Sequence, residues 1–485
     1  MIKSLSDSLN AHRQQVSIND KIRKEKIIEL NLEKLHDTIE NGFARINSLL
    51  ISDEKGKSKK LQHLVADIIK QGVADKIHFQ EFIEKRKGEQ YPYIYVGTHW
   101  MPLDVQRLHD YINKWARKIG LPENFISDPD FMKKVYERVA FMLKEKYQEN
   151  LFTGCTHINL MNGTLVVDTD GTSTLKPHDA ADFIQYVLPY AYDPEARCDK
   201  FLKFLSEVLP DEQTRMVVQE FFGYILSKNL KLEKMLVLLG SGSNGKSVLM
   251  EILSALLGSI NVSNVQLSDF DKDQNRAMLH NKLANISYES GHKLNHAIIK
   301  TAISGEPLSA KIVYEKTFSM HNYGKLIVSF NKLPRPEDTF AFMRRLIIIP
   351  FNVTISEQNA DKQLAKKIIA DELPGILNWA LAGLARLTQN MVFTDSKECD
   401  KVLDDYRKEC NSVEMFMDMC LAPLTDTTTR GSEIYNRYKD FCYDEQVPRY
   451  KIEGKQKFYA AIGKRFAEKR YRETPHFYAK LTDYE

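Results

Sequence analysis

The run Gly240-Ser241-Gly242-Ser243-Asn244-Gly245-Lys246-Ser247 fits GxxxxGK[ST] and stands between an apolar stretch, Met235–Leu239, and a helical one, Val248–Leu257. That order narrows the possible folds sharply. A strand must deliver the chain into the glycine turn and a helix must leave it, so that backbone N–H groups converge on one point. The glycines let those amides ring a β-phosphate, and the helix N-terminus adds positive potential. Lys246 can then reach the β/γ oxygens while the Ser247 hydroxyl ligates Mg²⁺, so the ligands expected here are ATP and Mg²⁺. A GTPase would carry NKxD, but Asn331-Lys332 runs on into Leu333-Pro334.

Around the loop, residues 231–352 alternate apolar strands (MLVLLG, KLANISYE, KLIVSFN, RRLIIIPF) with helical stretches. This pattern predicts a three-layer α/β domain with a largely parallel sheet. Glu289 closes the second of these strands, which is expected to lie beside the phosphate loop. An acid there can polarise the attacking water and support Mg²⁺. Asn331 closes the third, where an amide can hold the lytic water or sense the γ-phosphate. Arg344-Arg345 opens the last and could serve the γ-phosphate of a neighbouring subunit.

The remainder of the 485 residues divides into three further regions. Residues 1–85 read as helical, with Ile27, Ile28, Leu30, Leu32, Leu35 and Ile39 at roughly helical spacing and a solvated hinge over 52–60. Residues 86–230 predict an α-rich adaptor. It contains a strand bending at Gly97, a helix over Asp104–Gly120, a type I′ hairpin turning at Asn162–Gly163, a turn over 192–197, and helices over Phe201–Leu209 and Arg215–Leu226. The core is expected over 231–390, ending in a helix over Lys366–Thr388, and a basic domain over 391–485. The six cysteines show no closely spaced pair, so zinc is not expected and reduced thiols are. An apolar fraction of 43% with 27% charged residues is that of a soluble globular protein. No run reaches membrane-spanning length and the polar start lacks a signal peptide's core, so a cytoplasmic protein without membrane contact is expected.

Glu289, Asn331 and Arg344-Arg345 follow the glycine loop in an order that resembles the superfamily 3 helicases. HNKLANISYESGHKLNHAIIKTAISGEPLSAK, SFNKLPRPED and FMRRLIIIPF resemble the plasmid, phage and poxvirus primase-helicases more closely. Upstream, NGTLVVD…LKPHD…YVLPYAYDPEARCDKFLKFLSEVLPDEQ is similar to the module that precedes their ATPase. The resemblance spans about 90–385. It implies an AAA+ core, a homo-hexameric ring with ATP at subunit interfaces, and 3′→5′ translocation on DNA. It also assigns Lys246 and Ser247 to Walker A, Glu289 to Walker B, Asn331 to the sensor, and Arg345 or Arg344 to the arginine finger. Two features depart from the family. Tyr288-Glu289-Ser290 offers one acid where many relatives have two, and the residues ahead of the adaptor are too few for the primase domain many relatives carry. A separate primase or polymerase is therefore an expected partner.

The insertion PLSAKIVYEKTFSMHNYGK resembles the hairpin that superfamily 3 helicases project into the ring channel. Lys311 and Lys316 are candidates for phosphate contact and Tyr314 for stacking, with Lys300 nearby. Between Arg449 and Lys480 stand ten basic residues against three acids, interleaved with aromatics. This segment predicts a winged-helix-like fold with Phe458–Arg470 as recognition helix, which would direct Lys464, Arg465, Lys469 and Arg470 to nucleic acid. Together these readings predict an ATP-driven replicative helicase of a mobile element, acting on single-stranded and forked DNA. An origin-binding initiator that assembles without processive unwinding, and a small-molecule kinase, are the competing readings.

Overall fold

The computed structural model describes residues 22–51, 57–81, 90–145, 154–228, 230–289, 294–312, 317–321, 323–334, 342–356, 358, 361–410, 412–444, 447, 449 and 452–482. The first described elements are α1 (22–38), α2 (Phe43–Ile51) and α3 (Lys57–Val73), followed by β1 (Ile77–Glu81), β2 (Gln90–Tyr95) and β3 (Trp100–Pro102). Next come α4 (Val105–Lys118), α5 (Glu123–Ile126), α6 (Pro129–Met142) and β4 (Lys144–Glu145). Helix α4 starts where Asp104 accepts the Arg107 N–H, and it buries Leu108, Tyr111, Ile112 and Trp115, the one-sided spacing of an amphipathic helix. All of this surrounds one core, from Ile28 to Leu143.

Two expectations change here. Lys57–Lys60, read as hinge, form the first turn of α3, while 52–56 lie outside the described residues. The boundary drawn at 85 falls between β1 and β2, which pair from Ile77↔Ile94 to Glu81↔Gln90. Residues 86–230 also carry more strand than the bent strand and one hairpin expected, alongside helices α4, α5 and α6. Beyond β2–β4 they hold the antiparallel sheet β5 (Thr156–Leu160), β6 (Gly163–Val167) and β7 (Ser173–Lys176).

The β5–β6 turn is Met161-Asn162, with Leu160 paired to Gly163, and neither turn residue has the positive φ of type I′. Asn162 is used elsewhere: its side chain donates to Tyr192 O and accepts the Tyr192 N–H. The sheet is joined to the first core through the loop after β7. There Phe183 stacks on Trp100 at 5.1 Å between ring centres, and Trp100 Nε1 donates to Ala180 O.

Helices α7 (Asp199–Val208) and α8 (Glu212–Leu226) lead to the central five-stranded parallel sheet. Its elements are β8 (Met235–Leu239), α9 (Lys246–Leu257), β9 (Val262–Ser263), α10 (Asp273–Ala277), β10 (Ala284–Glu289), α11 (His296–Ser304), the hairpin β11 (Leu308–Lys311) and β12 (Thr317–Met320), β13 (Lys325–Phe330) and β14 (Leu346–Pro350). The strand order is β14-β8-β13-β10-β9. The strands are continuous apolar runs because the sheet is covered on both faces by two separate cores. β10 is thus separated from β8 by β13, contrary to the expectation that Glu289's strand adjoins the loop strand. The short β9 was not foreseen.

The helix expected over 366–388 is two helices, α12 (Leu364–Asp371) and α13 (Leu373–Asn390), bent by 83° at Glu372 with Pro374 in the first turn of α13. The bend has a use. Glu372 accepts the N–H groups of Lys200 (3.0 Å) and Phe201 (2.9 Å), completing the N-terminus of α7 from about 170 residues away. Nearby, buried Glu220 on α8 receives Arg386 of α13 at 2.6 Å and the Thr394 N–H at 2.8 Å. Helix α14 (Lys397–Cys410) then packs along β14.

The tail has its own core, Val413 to Ala479. It comprises α15 (Ser412–Cys420), β15 (Leu421–Pro423), β16 (Thr429–Arg430), α16 (Gly431–Asp444), α17 (Lys455–Arg465), β17 (Glu468–Tyr471), β18 (Thr474–Phe477) and β19 (Ala479–Leu481). The expected recognition helix over 458–470 ends at Arg465. Lys469 and Arg470 lie on β17, because the Phe466 side chain turns into the core with extended backbone.

Candidate functional site

The parallel pairing sets strand ends level. Leu239 lies opposite Phe330 on one side and Pro350 on the other, and Phe330 lies opposite Glu289. Gly240, Asn331, Phe351 and Glu289 therefore share the C-terminal edge of the sheet, where open α/β sheets hold ligands. The Glu289 side chain lies outside the described residues.

The loop at this edge is held from behind. Gly240 N–H donates to Phe330 O, Asn244 Nδ2 donates to Phe351 O, and the Ile355 N–H donates to Ser243 O. Two glycines are required by space. A Cβ on Gly240 would sit 2.2 Å from Asn244 Nδ2 and 2.6 Å from Phe351 O, and one on Gly245 would meet Val208 Cγ1 at 2.8 Å. Gly245, at φ +87°, also caps α9 in the left-handed region, and no side chain caps that helix. The first amides of α9 are thus left for an external acceptor.

Lys246 is buried beneath the loop, where Nζ donates to Gly240 O (2.6 Å) and Asn244 Oδ1 (3.0 Å). Burial lowers its pKa below the ordinary lysine value. A phosphate would supply the counter-charge this ammonium lacks among its two neutral acceptors. Ser241, Ser243 and Ser247 are exposed at the same mouth, where a hydroxyl can reach an oxygen-ligated cation. Asn331 is also exposed there.

Arg344 and Arg345 lie at the opposite, N-terminal edge, since Leu346 pairs with Met235 at the start of β8. They are not brought to the loop of their own chain. Arg345 is held by Glu233 (2.9 Å) and Ser304 Oγ (3.0 Å), while Arg344 is exposed. Glu233 itself is in the left-handed region at φ 53°. Lys234 donates to Arg344 O at 2.6 Å, and burial, with Arg407 and the arginine pair, lowers its pKa. Glu233 and Ser304 escaped sequence reading, because nothing near either marks an arginine far along the chain as its partner.

Ser304 ends α11, so Arg345 is one short turn from the β11–β12 hairpin. Arg276 braces that hairpin by donating to Ser309 O (2.6 Å), Phe270 O and Asp273. Lys311 closes β11 and Lys300 lies on α11; Tyr314 and Lys316 are outside the described residues. In the tail, Lys464 and Arg465 end α17, with Arg465 paired to Asp418, and Arg470 is paired to Glu468 at 2.6 Å.

Residues 76–210 match the family model described as D5 N terminal like, and residues 238–345 match one described as a family of unknown function, DUF5906. A protein of Acanthamoeba polyphaga mimivirus named "Putative helicase" is 24% identical over 266 residues, covering 49% of this chain and 27% of that protein. One of African swine fever virus named "Putative primase" is 23% identical over 163 residues, covering 33% of this chain and 17% of that protein. The likeness is to viral replication proteins. This chain spans about a quarter or less of the length of these relatives, and the similarities point to the primase-helicases of large DNA viruses. A solved structure described as "The A form apo structure of NrS-1 C terminal region-CTR" aligns with 86% of this chain and 99% of its own, at 12% identity and a TM-score of 0.47.

Proposed function

We propose that this chain is an ATP-dependent replicative DNA helicase of a virus, phage or plasmid, of the superfamily 3 AAA+ type. In this reading it acts as a homo-hexameric ring moving 3′→5′ on single-stranded and forked DNA. The observation that carries the reading is the separation of the two charged sites. The glycine loop with Lys246 stands at one edge of the parallel sheet and the arginine pair at the other. A chain so built cannot bring its own arginines to its own phosphate. A ring that sets one subunit's arginine edge against the next subunit's loop completes the site.

In that site the loop amides and Lys246 bind the β- and γ-phosphates of ATP and hold developing charge. Ser247 would hold Mg²⁺, which when bound neutralises the β/γ oxygens, and Glu289 would orient the attacking water. Asn331 holds that water or senses the γ-phosphate. The exposed Arg344 is the better finger, because Arg345 is already committed to Glu233 and Ser304. The β11–β12 hairpin, with Lys311 and Lys316 on phosphates, Tyr314 stacking and Lys300 behind it, would carry DNA through the channel. The tail, read as winged-helix-like, would add a second contact through Lys464, Lys469 and neighbouring residues.

The test is ATP turnover with and without single-stranded DNA, alongside displacement of a labelled strand from a forked duplex. DNA-stimulated turnover with displacement is expected. Assembly on DNA under ATP without displacement would replace this reading with an assembly-driven initiator.

A further inference from the structure

The three-stranded sheet of the tail, in the order β16-β18-β17, has one face on the core and one toward solvent. The register assigns residues to each. Phe477 is buried and lies opposite Thr429 and Glu468, so those positions belong to the inner side. His476 lies opposite Arg430 on one neighbour and Lys469 on the other, forming a cross-strand row about two strand spacings, roughly 10 Å, wide on the outer side. Tyr471 shares that side. Its ring meets His476 edge-on at 4.9 Å and Lys469 Nζ at 5.0 Å, and it is 48% exposed.

Charge on this face is of one sign. Glu468 falls on the inner side and is engaged by Arg470. The only other acid of the hairpin, Glu473, is in its turn. That turn, Arg472-Glu473, has both residues at positive φ (49° and 65°), the type I′ geometry that glycine and asparagine normally supply. It reverses the chain within two residues, so Tyr471 is not shielded by a longer loop. On α17 the cations are split between its two ends, Lys455 and Lys457 in the first turn and Lys464 and Arg465 in the last, and two of the four face acids: Lys457 lies 3.6 Å from Glu453 and Arg465 is paired with Asp418.

We propose that this open sheet face, Tyr471 with Arg430, Lys469 and His476, binds single-stranded nucleic acid. Tyr471 stacks on an unpaired base while Arg430 and Lys469 hold flanking phosphates. A flat aromatic-and-cation surface suits a base with a free face, which duplex DNA does not present. The proposal takes its ligand class from the nucleic-acid reading above but needs no nucleotide hydrolysis.

The full-length protein, without ATP, is irradiated with a thymidine oligonucleotide carrying 5-iodouracil, and the crosslinked peptide is mapped. A crosslink at Tyr471 is expected with the single strand. Tyr471→Ala should abolish it and weaken binding about tenfold, within the range for one stacked base, whereas Tyr471→Phe should keep both. Arg430→Gln with Lys469→Gln should make binding less sensitive to salt. All four side chains lie at the surface, and unchanged circular dichroism would confirm folding of each variant. Crosslinks confined to 455–465, tighter binding of the matching duplex, or an abasic strand that binds as well as the thymidine strand would each overturn the proposal. Failure of the ATPase reading would appear as turnover insensitive to Lys246→Ala, and this binding assay would be unaffected.

Discussion

At the C-terminal edge of the central sheet the groups turned outward are mostly main chain: loop amides, the unpaired first turn of α9, and glycines that leave no room for a Cβ. At the N-terminal edge they are side chains, with Arg345 braced by Glu233 and Ser304, Lys234 against the Arg344 carbonyl, and Lys325 half-buried at the start of β13. The first edge is pre-formed by backbone and suits an anion that must be surrounded. The second is assembled from long cations whose position depends on partners, and suits a contact that is made and released.

This contrast is broken most directly at Lys246. Lys246→Ala should abolish ATP turnover while leaving the melting temperature nearly unchanged, because the hydrogen bonds of Nζ among the described residues stay within its own loop; turnover within twofold of the parent would remove the phosphate assignment. Next in size is the other edge. Arg344→Ala should lower turnover by about 10³-fold yet still bind ATP, and mixing it with Lys246→Ala should restore activity that falls on dilution. Co-assembled mixtures that stay inactive would place the arginine outside the neighbour's site.

A smaller effect separates Arg345 from its neighbour. If Glu233 positions it, a double-mutant cycle on Glu233→Gln and Arg345→Gln should show about 0.5–1 kcal/mol of coupling in stability, modest because Glu233 is 45% exposed. Additivity of the two would mean the ion pair holds nothing.

A pH-dependent change concerns Lys325, whose Nζ donates to Leu230 O and lies over the Tyr224 ring; burial pushes its pKa down to about 8. Below that value the charge is carried in both folded and unfolded chains, at a cost to the fold. Between about 8 and the ordinary lysine value the unfolded chain binds more protons, so this group's penalty is relieved as pH rises. Lys325→Met should therefore be more stable than the parent at pH 7, by on the order of 1–3 kcal/mol, and the gap should narrow by pH 10. A gap independent of pH would place the gain in packing instead.

The two edges also differ in how much of them could be read from sequence. The loop edge was legible because a contiguous octapeptide specifies it through steric demands local to the chain. The four longest strands of the sheet were legible too, since a strand buried on both faces is apolar throughout. The arginine edge was half legible. Arg344-Arg345 stand out in sequence, but Glu233 and Ser304 meet Arg345, and Lys234 the Arg344 carbonyl, only through the fold.

The misreadings share a cause. Asn162-Gly163 has the composition of a tight turn, but tertiary bonds to Tyr192 use Asn162 and move the turn back one residue. Residues 466–470 continue a helical pattern, but Phe466 is drawn into the tail core and β17 finds a partner in β18. β1 and β2 were invisible as a pair because their register comes from contacts with α3, α4 and α6 rather than from a turn signal.

The capping of α7 by Glu372 has a bearing on the order of events during synthesis. The first core closes entirely within residues 28–143 and has all its parts as soon as that stretch is made. Helix α7 does not. Its Lys200 N–H waits for an acceptor 172 residues downstream, which at about 5–20 residues per second is a delay of roughly 10–35 s. During that interval the helices that will lie against the phosphate loop are on the nascent chain without their cover, and the ribosome must deliver residue 372 before the central unit can close.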